Sequence, residues 1–167
     1  MKKLLISLIV LGLGFQGFTQ VLEEKLKEVE ILGANYKYIS QIDQNEVSEL
    51  IKELHKTVAR FDDFNEDTYN EGDDKHYVSF KIPKGKILAS YDEDGELLKT
   101  VERFENARLP KVVIASIIEK YPGWTITKDV YYITYHHMDG ITKKYKVLIK
   151  NEGERKRVKI DSDGYFL

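Results

Sequence analysis

Two pairs of carboxylates beside a glycine are the first residues in the chain that could bind a metal ion. Residues 92–95 (Asp-Glu-Asp-Gly) and 161–164 (Asp-Ser-Asp-Gly) share the pattern Asp-x-Asp-Gly, which also occurs in part of an EF-hand calcium loop. A complete loop needs about six oxygen ligands and a bidentate Glu at its end. Neither segment has that Glu. We therefore predict two tight turns, in which Asp accepts backbone N–H groups and Gly takes a positive φ.

Histidine could act as a zinc ligand or a general base, and His136, His137 and Asp139 lie together in the sequence. Neighbouring strand residues point to opposite faces, so two adjacent rings in a regular strand cannot bind one ion. His55 and His76 have no companion at ligand spacing. No serine lies in a Gly-x-Ser-x-Gly or Ser-x-x-Lys motif, and the chain contains no Cys. The sequence therefore predicts no catalytic residue, no metal site and no cofactor.

Apolar residues recur at intervals of three and four in two parts of the chain, the spacing of a helix that buries one face. We expect Asp43 or Asn45 to cap the first helix. Pro110 suits the first turn of the second helix, and residues 121–123 (Tyr-Pro-Gly) predict its end. The helical positions are Val47, Leu50, Ile51, Leu54 and Val58 in the first, and Val113, Ile114, Ile117, Ile118 and Tyr121 in the second.

The remaining segments alternate as strands do, and short turns separate them. Hairpins are predicted from 77–82 with 86–91, and from 124–137 with 141–150, followed by a strand at 155–160. Strands are also expected before each helix, at 29–39 and 96–104. Residues 87–98 and 156–167 share a strand, an Asp-x-Asp-Gly turn and an apolar tail, 69 positions apart. The sequence therefore predicts an α+β fold of two tandem repeats, each an antiparallel sheet of three to four strands packed against one helix.

From Lys86 to Leu167 the chain resembles the small exported PepSY-like proteins of bacteria. The matching segments are GKILASYDEDGELL, LPKVVIASIIEKYPGW, WTITKDVYYITY and RVKIDSDG. The resemblance implies tandem helix-on-sheet units like those of β-lactamase-inhibitor-type proteins, with residues 20–95 as a diverged first repeat and 96–167 as the second. It also implies a non-catalytic, protein-binding or inhibitory role. The matching segments carry no catalytic residue.

The first residues have the pattern of a secretory signal. Met1, Lys2 and Lys3 form a basic start, and the following apolar run is about eleven residues, against the roughly 20 that cross a membrane. We expect residues 1–19 to be cleaved near Thr19 and Gln20, which leaves a periplasmic or secreted chain without a transmembrane segment. Export and a net charge of −2 argue against nucleic acid as a partner.

Strand parity predicts a basic face on the second half of the sheet. Tyr131, Ile133 and Tyr135 share one side of their strand and are expected in the core, so Tyr132 points the other way. Tyr145, Val147, Ile149, Val158 and Ile160 are likewise expected to point inward. The candidate binding residues, including an aromatic at the start of the strand, are Trp124, Tyr132, Lys144, Lys146, Lys150, Arg157 and Lys159.

Charge is distributed unevenly along the chain. Residues 20–95 contain 10 basic and 18 acidic residues, with much of the acid in a loop or hairpin at 61–74, whereas 96–167 contain 14 basic and 10 acidic. Three functions are consistent with these patterns. The first is a non-enzymatic module that binds another envelope or secreted protein through the sheet and the strand 124–137. The second is a binder of an anionic envelope ligand, and the third is a hydrolase whose site assembles only in three dimensions.

Overall fold

The computed structural model describes residues 35–42, 47–65, 67–72 and 74–167. The predicted signal peptide, the first part of the strand predicted at 29–39 and the predicted caps Asp43 and Asn45 lie outside these residues. The described helices are α1 (Tyr36–Gln41), α2 (Glu49–Ala59) and α3 (Lys111–Lys120). The strands are β1 (Tyr69–Asn70), β2 (Lys75–Ile82), β3 (Gly85–Tyr91), β4 (Leu97–Glu105), β5 (Thr125–His136), β6 (Gly140–Asn151) and β7 (Glu154–Asp161).

All seven strands belong to one antiparallel sheet, and they follow one another in sequence order. The predicted hairpins are confirmed as β2–β3 and β5–β6, and the predicted last strand is β7. The acidic stretch at 61–74 contains the short strand β1, which pairs with the start of β2. Every strand therefore lies beside its predecessor in the chain.

The predicted fold of two tandem sheet-and-helix repeats is wrong. In β4, Val101 pairs with Leu88 of β3, and Arg103 pairs with Tyr132 of β5, so the strand joins the two predicted units in one sheet. The predicted boundary after Gly95 falls in the turn between two paired strands. The buried residues of both predicted units form one core rather than two. The similarity between segments 69 residues apart therefore reflects two turns with the same hydrogen bonds and not two repeated domains.

The helices lie on one face of the sheet. The predicted core residues of β5–β7 are all buried, which confirms the inward positions expected from parity. Ile51, Leu54 and Val58 of α2 and Val113 and Ile117 of α3 are buried as well, whereas Leu50 and Ile118, predicted on the same helical faces, are 55% and 57% exposed. Two other predictions fail. Residues 36–39, expected in a strand, belong to α1, and Ser48 rather than Asp43 or Asn45 precedes α2. Pro110 occupies the position before α3, as its missing N–H allows.

The two Asp-x-Asp-Gly segments form the same hydrogen-bonded turn. The Asp92 carboxylate accepts the backbone N–H groups of Asp94 at 3.1 Å and Glu96 at 2.8 Å. Asp161 accepts those of Asp163 at 3.0 Å and Tyr165 at 2.8 Å. Gly95 and Gly164 have φ values of 83° and 88°, where other residues are strained. The predicted tight turns are confirmed.

A buried carboxylate links the sheet to two helices. Glu102 of β4 is 0% exposed, and its Oε1 accepts hydrogen bonds from the hydroxyl groups of Tyr38 at 2.9 Å and Thr100 at 2.7 Å. The Nε2 atom of His55 lies 2.7 Å from its Oε2. Burial, together with the nearby Glu102, raises the pKa of Tyr38 well above its ordinary value. The hydroxyl group therefore stays protonated and acts as the hydrogen-bond donor to Glu102.

We expect the stability of the fold to depend on this carboxylate. Glu102→Leu leaves Tyr38 and His55 buried without their partner and should lower the free energy of unfolding by about 3–5 kcal/mol. Tyr38→Phe removes one hydrogen bond and should cost about 1–2 kcal/mol. Urea unfolding followed by far-UV circular dichroism measures both values.

Glu105→Gln is the matched control, because Glu105 lies in the same strand but on its exposed side, where the substitution removes only a solvent-exposed ion pair with Arg103. It should change the free energy of unfolding by less than about 0.5 kcal/mol. A Glu102→Leu protein as stable as this control would contradict the proposed dependence.

Candidate functional site

The sheet face opposite the helices, here called the outer face, is strongly basic. Cross-strand pairs carry the same alternation from β2 to β7, so that Tyr77, Leu88, Val101, Tyr132 and Lys144 all lie on this face. The only carboxylates at its strand positions in the described chain are those of Glu105 and Asp161. Its basic residues are Lys75, Lys81, Lys86, Lys99, Arg103, Lys128, Lys144, Lys146, Lys150, Arg155, Arg157 and Lys159.

Tyr132 lies at the centre of the most basic part of the outer face. It is paired with Arg103 on one side and Lys144 on the other, and Lys146 Nζ lies 4.7 Å from the centre of its ring. Arg103 also forms a salt bridge of 2.7 Å with Glu105. These two contacts raise the pKa of the Arg103 guanidinium, Glu105 more than Tyr132. The ring is therefore held in place between three cations.

A shallow depression of about 480 Å³ opens beside Tyr132. Val130 and Leu148 contribute apolar surface to it, and Lys128, Lys146 and Arg157 contribute positive charge. None of these three cations lies within 4.0 Å of a carboxylate among the described residues, so their charge is available to a ligand. The arrangement can hold a flat or extended anion against apolar surface.

One acid also lines this depression. Asp129 is 8% exposed, and its Oδ2 has no hydrogen-bond partner among the described residues. Burial raises its pKa to about 6, although the backbone of Ala107 donates a hydrogen bond that opposes the shift. At neutral pH this is a poorly compensated negative charge beneath the basic surface.

The structure brings six of the seven candidate residues to one face. Tyr132, Lys144, Lys146, Lys150, Arg157 and Lys159 all occupy outer positions. Trp124 does not join them: its ring lies 6.2 Å from that of Tyr121, at the end of α3, and Lys156 Nζ lies 5.4 Å from it on the helix side. The reason is that Trp124 has the parity of the core residue Ile126, which pairs with buried Ile149.

Arg103 and Lys128 were missed by the sequence prediction. Lys128 sits beside a β-bulge between Ile126 and Lys128, which shifts the parity that the preceding residues suggest. Arg103 could have been found, because Lys99, Val101 and Arg103 alternate with Thr100 and Glu102. That signal was obscured because polar residues occupy the inward positions.

A second part of the outer face is apolar. Tyr77, Leu88 and Val101 are 41%, 46% and 46% exposed, and they line a depression of about 440 Å³ together with Lys99 and His136. Leu88 and Val101 are directly paired across β3 and β4. Large side chains exposed side by side on a sheet are typical of a surface that another molecule covers.

The described chain shows no arrangement suited to metal binding: no three His, Asp or Glu side chains converge in it. His136 and His137 have ring centres 5.0 Å apart, and Asp139 approaches only His136, at 3.4 Å. His55 and Glu102 contact each other, but both are 0% exposed and neither lines the depressions described here.

Comparisons with protein-family models, with curated proteins and with solved structures gave no match to this chain. None of the three helices in the described part of the chain has the length and apolar character needed to span a bilayer.

Asp129 leads to a pH-dependent expectation. Its pKa is higher in the folded chain, about 6, than the 3.8 of an exposed carboxyl, so folding favours the protonated form. The free energy of unfolding should therefore fall as pH rises from about 4 to about 6 and then level off. Asp129→Asn stays neutral and keeps an acceptor for Ala107, so it should exceed the wild type by about 2 kcal/mol at about pH 7.5.

Thermal and urea unfolding at several pH values test this expectation. Glu152→Gln removes one charge from an exposed turn and controls for the change in net charge. An Asp129→Asn protein that gains no stability over wild type between about pH 4 and about pH 7 would show that the buried charge is compensated.

Proposed function

We propose that the chain is a non-catalytic binding module that contacts another protein through the outer face of its sheet. The observation that carries the proposal is that one side of a seven-stranded sheet has no described helix on it and presents apolar and basic side chains together. The partner suited to this face has acidic side chains around exposed apolar ones. The secretory signal predicted from residues 1–19 supports an envelope or secreted partner.

The mixed chemistry of the face supports a protein partner in particular. The apolar patch of Tyr77, Leu88 and Val101 lies in the same sheet as the basic surface around Tyr132, and Val101 and Tyr132 belong to neighbouring strands. Protein interfaces typically have an apolar centre with polar and charged groups at the rim, and Tyr and Arg are enriched in them. A purely basic surface would suit a simple anion as well.

A second candidate function rests on the depression beside Tyr132. Lys128, Lys146 and Arg157 surround apolar surface there, and Tyr132 supplies an aromatic edge. This local arrangement supports binding of a non-protein anion, such as a phosphorylated or sulfated envelope polymer. In that case the apolar patch would contribute nothing to the affinity.

The third possibility, a hydrolase, has less support from the structure. A buried histidine does contact a buried carboxylate in His55 and Glu102, which the sequence did not predict. Both side chains are fully buried, and Glu102 also accepts hydrogen bonds from Tyr38 and Thr100. A general base must reach the proton that it removes, and a structural role accounts for all of these contacts.

Binding to two polymers distinguishes the first two functions. Poly-L-glutamate serves as an acidic-protein probe and inorganic polyphosphate as a non-protein probe. Changing Lys144, Lys146 and Lys150 together to Glu should weaken binding of both by about tenfold or more, because the face loses its attraction for anions. Raising the salt concentration should weaken wild-type binding in the same way. Fluorescence anisotropy measures the dissociation constants.

The apolar patch provides the discriminating variant. Leu88→Ser with Val101→Ser should leave polyphosphate binding unchanged, but it should reduce affinity for a copolymer of glutamate and tyrosine by about tenfold. Equal loss for all three polymers, or none, would contradict a protein-binding role for this patch.

The matched control reverses three exposed charges away from the outer face, at Lys84, Arg108 and Lys111. It changes net charge by the same amount as the lysine triple variant. If it weakened binding equally, the effect would come from net charge, and the outer face would not be the binding surface.

A further inference from the structure

We propose that two copies of this chain form a symmetric dimer by pairing their β2 strands edge to edge, which extends the sheet across both copies. Among the described residues, strand β2 lies at a nearly uncovered edge of the sheet. Its neighbour β1 has two residues and pairs only with Lys75 and His76. Residues 78–82 have β3 on one side and no strand on the other in the described chain. This interaction surface is separate from the function proposed above.

The backbone groups that point away from β3 can be identified from one hydrogen bond. The N–H of Tyr77 donates to the carbonyl of Thr68 at 2.7 Å, so Tyr77 directs its backbone toward the open edge. In an antiparallel ladder this direction alternates, so Ser79 and Lys81 direct their N–H and C=O groups to the same side. Among the described residues, no backbone hydrogen bond reaches those groups from that side.

The open segment has a natural centre of symmetry. It is limited at one end by Tyr77, which already bonds Thr68, and at the other by Pro83, which has no N–H. Phe80 is the middle residue of the segment between them. A two-fold axis at Phe80 places Ser79 of each copy opposite Lys81 of the other copy, which gives two equivalent pairs. Those are the residues whose backbone groups face the open edge, so each pair can form the two hydrogen bonds of an antiparallel ladder.

The side chains suit this register. Lys81 of each copy faces a serine rather than a second lysine, so pairing places no like charges directly opposite one another. On the inner side, Val78, Phe80 and Ile82 are half-buried and pack against the core. Phe80 also contacts Phe61, with ring centres 5.3 Å apart. Pairing would bring two such apolar edges together and cover them.

Strand β7, at the opposite edge of the sheet, is protected against pairing with a second copy. Strand β7 carries Arg155, Lys156, Arg157 and Lys159 in close succession, and a copy paired with it would meet that charge. Its last part is also covered, because Ile160 bridges to Phe166 and the N–H of Leu167 donates to the carbonyl of Lys159. Charged residues and short covering segments are common means of preventing edge-to-edge pairing. Residues 78–82 contain a single lysine, and no other described segment pairs with their open side.

Oligomeric state and two charge variants test the proposal. The purified protein should show a concentration-dependent monomer–dimer equilibrium by sedimentation velocity. Ser79→Lys places a lysine opposite Lys81 of the second copy at two symmetric positions, and should weaken the dimer by about tenfold. Adding Lys81→Glu to that variant should restore the dimer, because each introduced lysine then faces an introduced glutamate. Lys81→Glu alone is the matched control and should leave the dimer largely intact.

Cross-linking tests the register directly, because the native chain has no Cys. A chain with both Ser79→Cys and Lys81→Cys should form disulfide-linked dimers under mild oxidation, since paired positions lie within disulfide reach. Either single variant should cross-link far less. Thermal unfolding confirms that each variant is folded.

A protein that stays monomeric at all accessible concentrations would overturn the proposal. So would a dimer that Ser79→Lys leaves unchanged, because that dimer would use another surface. Cross-linking by Ser79→Cys alone with the same yield as the double variant would overturn the register centred on Phe80.

Discussion

The fold depends on satisfying one carboxylate in the middle of the core. A buried Glu102 is costly unless its oxygens are hydrogen-bonded, and its partners come from three different elements: Tyr38 from α1, His55 from α2 and Thr100 from β4 itself. The side chain therefore fixes where both helices lie on the sheet, with more directional precision than apolar packing alone provides. Apolar contacts among the helices and inner strand positions then fill the space around it.

Placing the described helices on one side leaves the other side of the sheet to interact with solvent or a partner. Most inner positions are apolar, and the buried Glu102 is satisfied by hydrogen bonds within the core, whereas the outer positions carry most of the basic side chains of the strands. An antiparallel sheet commonly has one solvated face. Here that face also exposes Tyr77, Leu88 and Val101, which solvation alone does not favour.

Local patterns were predicted from the sequence, and long-range relations were not. Alternation correctly assigned Tyr132 and Lys144 to one side of β5 and β6, because side-chain direction depends only on neighbouring residues. The two Asp-x-Asp-Gly turns were also predicted correctly, because their hydrogen bonds form within a few residues of each other. The tandem-repeat prediction failed because it treated similar turns as evidence of separate cores, whereas the pairing of β4 with both neighbours depends on residues far apart. Nothing local to Glu102 indicates burial, because Tyr38 lies 64 positions away.

The order of strands has a consequence for how the chain folds. Because each strand pairs with the one before it, most contacts within the sheet are formed between sequence neighbours, which favours rapid assembly from successive hairpins. The helices α1 and α2 precede the sheet in the sequence, but the partner of His55 is Glu102, which lies 47 positions later in the chain. The contact between His55 and Glu102 can therefore form only when β4 is present. Before β4 is present, α1 and α2 lack the carboxylate that Tyr38 and His55 contact in the folded core.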